Sequence, residues 1–407
     1  MVAFSPDEDQ KMMQDSVAQL ARTTLRPRMR QIEAARSVPE DIRKTAHEMG
    51  LGVVALPTEV GGPGLGLLTT VLLEEEIAWG DAGAAFGFGG PGAFGFAVTE
   101  LGTTEQAVRL LAPFFAADGD DGHSRFGAVA WGEPKARPDR EGLTAVATLE
   151  GDGYRLTGEK AYVTNADRAD VFVVFAETEG EKAGHGIGAF VVRKGVPGLA
   201  VKGRSTTLGL DAASFGGLLL SNVRVEKEDR LLAKGDFDAA LVRFFVKNAL
   251  VMAARSVGLA RAAFELTREY CDTRMAFGKP VGHFQAVAFT LADRAMDVEA
   301  ARALVWRAAW LWDEGKDSRA ALLASAYAIS FAHEAAMKGG DDAVQLHGGA
   351  GFMRDYPVEK LMRDAKQLQL CGLTAEHADQ IAAAVELGRT LDPEAVLPSA
   401  ASQNAFV

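Results

Sequence analysis

The stretch Asp342-Ala343-Val344-Gln345-Leu346-His347-Gly348-Gly349-Ala350-Gly351-Phe352 decides how the rest of the chain is read. After a short gap comes Tyr356-Pro357-Val358-Glu359-Lys360-Leu361-Met362-Arg363-Asp364-Ala365-Lys366. Upstream, an Ala-rich apolar helix is expected to end near Met337, where it meets Gly339-Gly340. A short amphipathic segment then runs into Gly348-Gly349, where a missing Cβ lets backbone come close to a ligand. Past the Tyr356-Pro357 turn, Val358, Leu361 and Met362 recur on one helical face, with Arg363 and Lys366 near the C-terminal end. Two helices joined by a glycine hinge would be the plain reading of a glycine pair. Gln345, expected to be buried, favours more: an amide and two backbone N–H groups facing one small space.

This string resembles the C-terminal signature of the acyl-CoA dehydrogenase family, whose Gln-x-x-Gly-Gly turn reaches the FAD of a neighbouring subunit. An ordered run ending in Arg363-Asp364-Ala365-Lys366 is far more specific than a lone glycine motif. The resemblance breaks at one place that matters. Family members often continue with Tyr-Glu-Gly-Thr, and here the chain reads Cys371-Gly372-Leu373-Thr374.

The totals agree with a soluble globular protein of two or three domains: 407 residues, 48% hydrophobic, 24% charged. A net charge of −12 argues against nucleic acid or an anionic membrane as the main partner, while leaving room for an anionic cofactor held by local positive charge. Two cysteines, Cys271 and Cys371, are too few for a disulfide scaffold, and a reduced cytoplasm fits best. The opening residues show no basic region followed by an apolar core, and the apolar run Ala320–Ala332 is too short to span a bilayer.

Along the chain, Ser5, Pro6 and Glu8 read as a helix start, and a second helix is expected from about Glu40 to Met49, ending at Gly50. Glu74-Glu75-Glu76 reads as a solvated helix face. Gly87-Phe88-Gly89-Gly90-Pro91-Gly92 fits the Gly-x-Gly-x-x-Gly fingerprint but lacks the strand before it and the acidic residue after it, so a cavity-lining loop is expected, not a dinucleotide site. After the polar linker Asp118–Gly122 the texture turns to strands, and from Asp236 it returns to helices. The expectation is an α+β chain: a helical domain (1–122), a middle β-barrel-like domain (123–232), a C-terminal four-helix bundle (233–391) and a loose tail (392–407). That order is similar to the family's three-domain subunit.

The resemblance assigns FAD contacts residue by residue. Tyr162, Val163 and Thr164 stand where the family has Trp-Ile-Thr, whose ring stacks on the flavin and whose hydroxyl bonds near N5. Trp131 precedes Gly132, which replaces the family's Thr in Thr-Glu-Pro, so contact there falls to the backbone. Arg274, Phe277 and Gln285 match a motif that reaches a partner's cofactor, and a guanidinium suits a pyrophosphate because it binds bidentately. Gln345, Gly348 and Gly349 complete that half, with Thr374 and Glu376 at the start of the last helix. Each residue has a plainer role: a packed strand tyrosine, a helix-end cation at Arg274, an N-cap at Thr374 with Glu376 in the first helical turn.

The family reaction removes an α-proton with a carboxylate while the β-hydride goes to the flavin. The position aligned with that carboxylate is Gly372, and the alternative position used by some members is Asn248. The Asp-x-x-Arg pair near the CoA arm is replaced by Val246 and Ala249, and Arg137-Pro138-Asp139 stands for Gly-Ser-Asp. No catalytic residue is assigned. No histidine pair has metal-binding spacing, His347 reads as a turn cap, and Cys371 reads as an inert thiol. The resemblance implies α,β-dehydrogenation of an acyl thioester, carried by CoA or a carrier protein, with an atypical base. The implied partners are a second or further copies of the chain, as homodimer or homotetramer, and an electron-transfer flavoprotein. The alternatives are a flavin monooxygenase or oxidase of the same fold, or a non-catalytic flavin-binding subunit.

Overall fold

The computed structural model describes residues 5–115, 125–134, 143–179, 186–233, 235–316 and 318–389. The linker at 118–122, the segment holding Arg137-Pro138-Asp139 and the tail after 389 lie outside these residues.

Asp7 starts the first helix, α1 (Glu8–Leu20), and not Ser5 as the sequence suggests. Its carboxylate accepts from the Gln10 N–H at 2.8 Å, and the Gln10 amide oxygen accepts from the Asp7 N–H, so one reciprocal box satisfies two orphan donors. The helical region continues through α2 (Arg26–Ala35), α3 (Glu40–Glu48), α4 (Gly66–Asp81), the single turn α5 (Ala84–Gly87), α6 (Gly92–Leu101) and α7 (Thr104–Leu111). The glycine-rich stretch between α5 and α6 turns at Gly89 and Gly90, both at positive φ. Gly90 donates to the Arg125 carbonyl and accepts from the Gly127 N–H, which ties the helical region to the first strand.

A seven-stranded mixed sheet follows, made of β1 (Gly127–Ala130), β2 (Val146–Glu150), β3 (Gly153–Thr164), β4 (Val171–Thr178), β5 (Ile187–Arg193), β6 (Leu199–Lys202) and β7 (Phe215–Glu226). The path runs β1-β4-β2-β3-β7-β6, and β5 pairs with β4. Phe172, Val174, Phe190, Leu156 and Leu218 fill a core of their own inside it. The β3–β7 ladder slips between Lys160 and Val163. Residues 160 and 162 would otherwise share a face; the bulge instead turns Lys160 fully inward and Tyr162 outward at φ 55°.

The remaining chain is α8 (Phe237–Thr273), a small hairpin of β8 (Met275–Ala276) and β9 (Lys279–Pro280), α9 (Gln285–Glu314), α10 (Ser318–Leu346), α11 (Val358–Leu368) and α12 (Ala375–Glu386). The helix expected to stop near Met337 runs unbroken to Leu346. Gly339 and Gly340 are buried within it, and a Cβ on Gly340 would stand 2.9 Å from the Met362 Cα, so this glycine permits close α10–α11 packing and does not end the helix. Among the described residues α10 alone is long and apolar enough to cross a bilayer, and its Ala324, Ala328, Ala332 and Ala335 are buried in the bundle.

Glu74, Glu75 and Glu76 overturn the expectation of a solvated face, for all three are buried. α4 is covered nearly all round, so its acids are paired: Glu74 with Arg255 at 2.7 Å, Glu75 with Arg261 and Arg302 at 2.8 Å, Glu76 with Arg261 at 2.5 Å. Breaking such a buried pair by deleting one partner costs about 3–5 kcal/mol. α4 and α8 approach so closely that a Cβ on Gly258 would fall 2.1 Å from the Glu75 carbonyl oxygen.

Candidate functional site

Two groups of candidate residues form, and α8 connects them. The first gathers beyond the C-terminal end of α8. Arg274, Gly348 and Gly349, with Tyr270, His347 and Tyr356, line a cleft of about 710 Å³. Gly348 adopts φ 56°, and a Cβ at either glycine would meet nothing within 4 Å, so this backbone step lies open. Arg274 is exposed and has no carboxylate partner among the described residues. The His347 ring lies flat on Tyr270 at 4.2 Å, and its Nδ1 bonds the Ala343 carbonyl at 2.7 Å, capping the end of α10. Gln345 is exposed, which corrects the expectation of a buried amide, because α10 carries it on its outer face. Phe277 tips the β8–β9 hairpin with φ 50°, followed by Gly278 at φ 81°, the backbone of a tight two-residue turn. The Phe277 ring is 97% exposed, an unfavourable place for an aromatic unless something covers it. Gln285, also exposed, opens α9.

The second group lies against the middle of α8. Phe245, Ala249 and Met252 follow at helical spacing and present one face. Trp131, just after β1, packs edge-on against Phe245 at 4.8 Å and against Phe175 at 5.1 Å, so its ring belongs to the core. Gly132 accepts from the Ala161 N–H at 2.8 Å, which fixes the start of the bulge before Tyr162. Tyr162 is 55% exposed, Val163 is buried and Thr164 is half-buried. Gly372 stands opposite α8: a Cβ there would lie 3.5 Å from Met252 Cγ and 3.6 Å from the Ala249 Cα. Thr374 caps α12, its hydroxyl accepting from the His377 N–H, and Glu376 is exposed in the first turn. No contact among the described residues joins Tyr162 or Thr164 to the cleft at Arg274.

Three buried charge clusters frame these groups and were missed in the sequence. Lys160 and Glu133 are both fully buried and 2.7 Å apart. Burial pushes the Lys160 ammonium down to about 8. Burial also works to raise the Glu133 carboxyl, but the charge and hydrogen bond of Lys160, with the Thr144 and Ala145 donors, hold it below the usual range. We take the pair as ionised at neutral pH, because Glu133 is so fully bonded. Lys360 bridges Asp81 at 3.1 Å and Asp364 at 2.5 Å, tying α4 to α11, while Asp364 also accepts from the Leu210 N–H. Glu74–Arg255 is the third cluster. The available signal was charge placed inside otherwise apolar segments.

A helical region, a mixed sheet and a helical bundle follow one another along the chain, with exposed aromatics and an open glycine step on the bundle. Domain families match in that order: the acyl-CoA dehydrogenase N-terminal domain over residues 7–118, the middle domain over 128–223 and the C-terminal domain over 237–385. The cyclohex-1-ene-1-carbonyl-CoA dehydrogenase of Geobacter metallireducens is 34% identical over 363 residues, 89% of this chain and 94% of that protein. The structure of butyryl-CoA dehydrogenase from Megasphaera elsdenii superposes with a TM-score of 0.86 at 29% identity, covering 95% of this chain and all of the other. An FAD complex of PigA superposes with a TM-score of 0.85 at 26% identity, covering 95% of this chain and 99% of that one. The chain belongs to the acyl-CoA dehydrogenase family. It is an oxidoreductase and a flavoprotein with FAD as cofactor.

The residues present fit that cofactor. FAD offers a planar ring system and two phosphates. The exposed rings of Tyr162 and Phe277 suit the first, and the unpaired Arg274 with the open Gly348-Gly349 step suits the second.

Proposed function

We propose that this protein dehydrogenates an acyl thioester between its α and β carbons, with a proton acceptor displaced from the family's two usual positions. One observation carries the reading: at Gly372, the position that resemblance aligns with the family's carboxylate, a Cβ would meet only Met252 and Ala249 as its nearest neighbours among the described residues, and neither is an acid. Asn248 is not an acid either, and Glu74, which reaches this face through Arg255, is bonded to that guanidinium at both oxygens. FAD, when bound, supplies the acceptor for the β-hydrogen and its electron pair. Tyr162 and Thr164 would hold its ring system, with Val163 and the backbone after Trp131 beside them. Arg274 would take a phosphate oxygen, Gly348 and Gly349 would let the backbone approach, Phe277 would pack near the ring system, and Gln285 and Gln345 would add amide contacts. Thr374 adds a hydroxyl from the α12 cap, with Glu376 beside it.

We infer that the Arg274 group serves the cofactor of a second copy. A stripe of exposed residues runs down α9 from Gln285 through Phe289 (64% exposed), Ala292, Met296 (62%), Ala300 and Ala303 to Trp310, spaced for one helical face. Covering that stripe with another subunit carries Gln285 and the adjacent hairpin against the partner, as homodimer or homotetramer. An electron-transfer flavoprotein is the matching acceptor, and the two unbridged cysteines suit a reduced cytoplasm.

The test is anaerobic flavin bleaching by a panel of acyl thioesters on CoA and on carrier protein. Simple saturated acyl-CoAs should bleach the flavin little or not at all, because a positioned base contributes ~10²–10⁴-fold. Rapid bleaching by them would show an acceptor nearby and sink the displaced-base reading. A colourless protein that gains no flavin on FAD addition would sink the cofactor assignments. The same absence of an acid favours a second reading, oxygen-dependent chemistry on the same fold, which needs no α-proton base. Hydroxylated product formed with a supplied flavin reductant would favour it.

A further inference from the structure

We propose that Arg255 reads a neutral oxygen atom on the acyl chain, making a hydroxyacyl or oxoacyl thioester the preferred ligand. This inference rests on the acyl-thioester reading above. Arg255 is 7% exposed and sits one turn along α8 from Met252. Its Nε donates to Glu74 at 2.7 Å, and its Nη2 donates to Glu74 at 3.1 Å and to the Ala85 carbonyl at 3.3 Å. Phe86 covers one face of the guanidinium at 4.3 Å. Nη1 is left with a thioether, Met252 Sδ, at 3.9 Å, and no oxygen acceptor among the described residues. A guanidinium N–H bonded to nothing better than sulfur is an unfilled site, since a buried donor gains most from a strong acceptor.

The location gives that donor a use. Met252 is the side chain that a Cβ at Gly372 would meet first, and Ala249 beside it fills little space. A thioether on three rotatable bonds is therefore what separates the open position at Gly372 from Nη1, and methionine repacks readily. A ligand oxygen that displaces it gains a charge-assisted hydrogen bond. The charge balance selects its type. Glu74 already neutralises Arg255, so a ligand carboxylate would bury an uncompensated negative charge, whereas a hydroxyl or keto oxygen adds none. A purely structural pair, tying α4, α5 and α8 together, would show no such preference.

The experiment uses the FAD-loaded protein and calorimetric titration with octanoyl-CoA and its monohydroxylated counterparts, the hydroxyl placed in turn at each carbon from 3 to 8. The wild type should bind the best hydroxyl isomer roughly tenfold more tightly than octanoyl-CoA, the value of one added hydrogen bond to a charged donor. The double variant Arg255→Leu/Glu74→Leu should lose that ratio and keep octanoyl-CoA binding. Met252→Phe leaves the ion pair intact but closes the path to it, so it too should lose the ratio; it keeps the test decisive if the double variant fails to fold. Equal wild-type affinities, or a ratio that survives in Met252→Phe, overturn this inference alone. Binding of neither thioester by the wild type overturns the acyl-thioester reading together with it.

Discussion

One helix carries two regions of opposite character. α8 is about 55 Å long at 1.5 Å per residue. Its C-terminal end opens into the cleft of Arg274, Gly348 and Gly349, which is charged, exposed and lined by backbone. Its middle, from Phe245 to Arg255, is buried, apolar toward Gly372 and closed by an internal ion pair. On the proposed reading, the first gathers groups suited to a large anionic cofactor, and the second lacks the carboxylate that the family's proton abstraction uses. Retaining a cofactor and retaining a reaction are separable, because a cofactor is held by many weak contacts spread over three elements, whereas the base is a single carboxylate.

The sharpest way to break that contrast is to return an acid to the middle of α8. Asn248→Glu should accelerate anaerobic flavin reduction by a simple saturated acyl-CoA by ~10²–10⁴-fold, the usual worth of a positioned base. Gly372→Glu should do less. Space is available there, but Gly372 sits at φ 83°, where any L side chain costs about 1–2 kcal/mol. Stopped-flow absorbance decides both. If neither variant accelerates reduction while both bind the thioester, the missing acid is not what distinguishes the two regions.

At the other end of the helix, Arg274→Ala should weaken FAD retention by roughly 10–100-fold, the range for hydrogen bonds to a charged group. Subunit association should weaken with it, since the hairpin and the α9 stripe are contiguous. Flavin content after gel filtration, with sedimentation of the same sample, reads both. Loss of flavin with unchanged association would place Arg274 on its own subunit's cofactor.

Acid should loosen the middle of α8. His333 on α10 is fully buried, bonds Ser256 of α8 through Nδ1 at 2.9 Å, and has no partner for Nε2 among the described residues. Burial pushes its imidazole down to about 4 from an ordinary 6.5. The unfolded chain takes up a proton below that ordinary value while the native protein refuses it, so stability falls as pH drops from 6.5 toward 4. The expected loss between neutral pH and about pH 5 is on the order of 2 kcal/mol. Urea unfolding at both values should show that slope, and His333→Leu should flatten it. An unchanged slope in the variant would move the acid sensitivity elsewhere.

The exposed cleft was legible only through resemblance to a family motif, because taken alone Arg274 reads as a helix-end cation and a glycine pair as a hinge. The order of helices, sheet and helices was plainer, from the switch in periodicity. What periodicity could not show was the pairing of charges across distant segments. Glu74-Glu75-Glu76 looks solvated until Arg255, Arg261 and Arg302 arrive from α8 and α9. Gly339-Gly340 looks like a helix end until Met362 packs against it. In both cases tertiary contact overrides a local signal.

The smallest expected effect concerns Thr374, two residues beyond Gly372 at the start of α12. Its hydroxyl accepts from the His377 N–H at 3.4 Å and bonds His377 Nδ1 at 2.9 Å, the geometry of an N-cap. The same hydroxyl, four residues from Leu370 and two from Gly372, is also assigned to the cofactor. Thr374→Ala should cost about 1 kcal/mol of stability through the lost cap. Asparagine is as good a cap as threonine, so Thr374→Asn should recover that stability. It should not recover flavin affinity if the hydroxyl also bonds FAD, because the amide is longer and differently directed. Thermal unfolding of the apoprotein and FAD titration, made on the same three proteins, separate the roles. Recovery of both properties in Thr374→Asn would reduce Thr374 to a cap. The cofactor half would then end at the cleft and the strand bulge, with α12 contributing only structure.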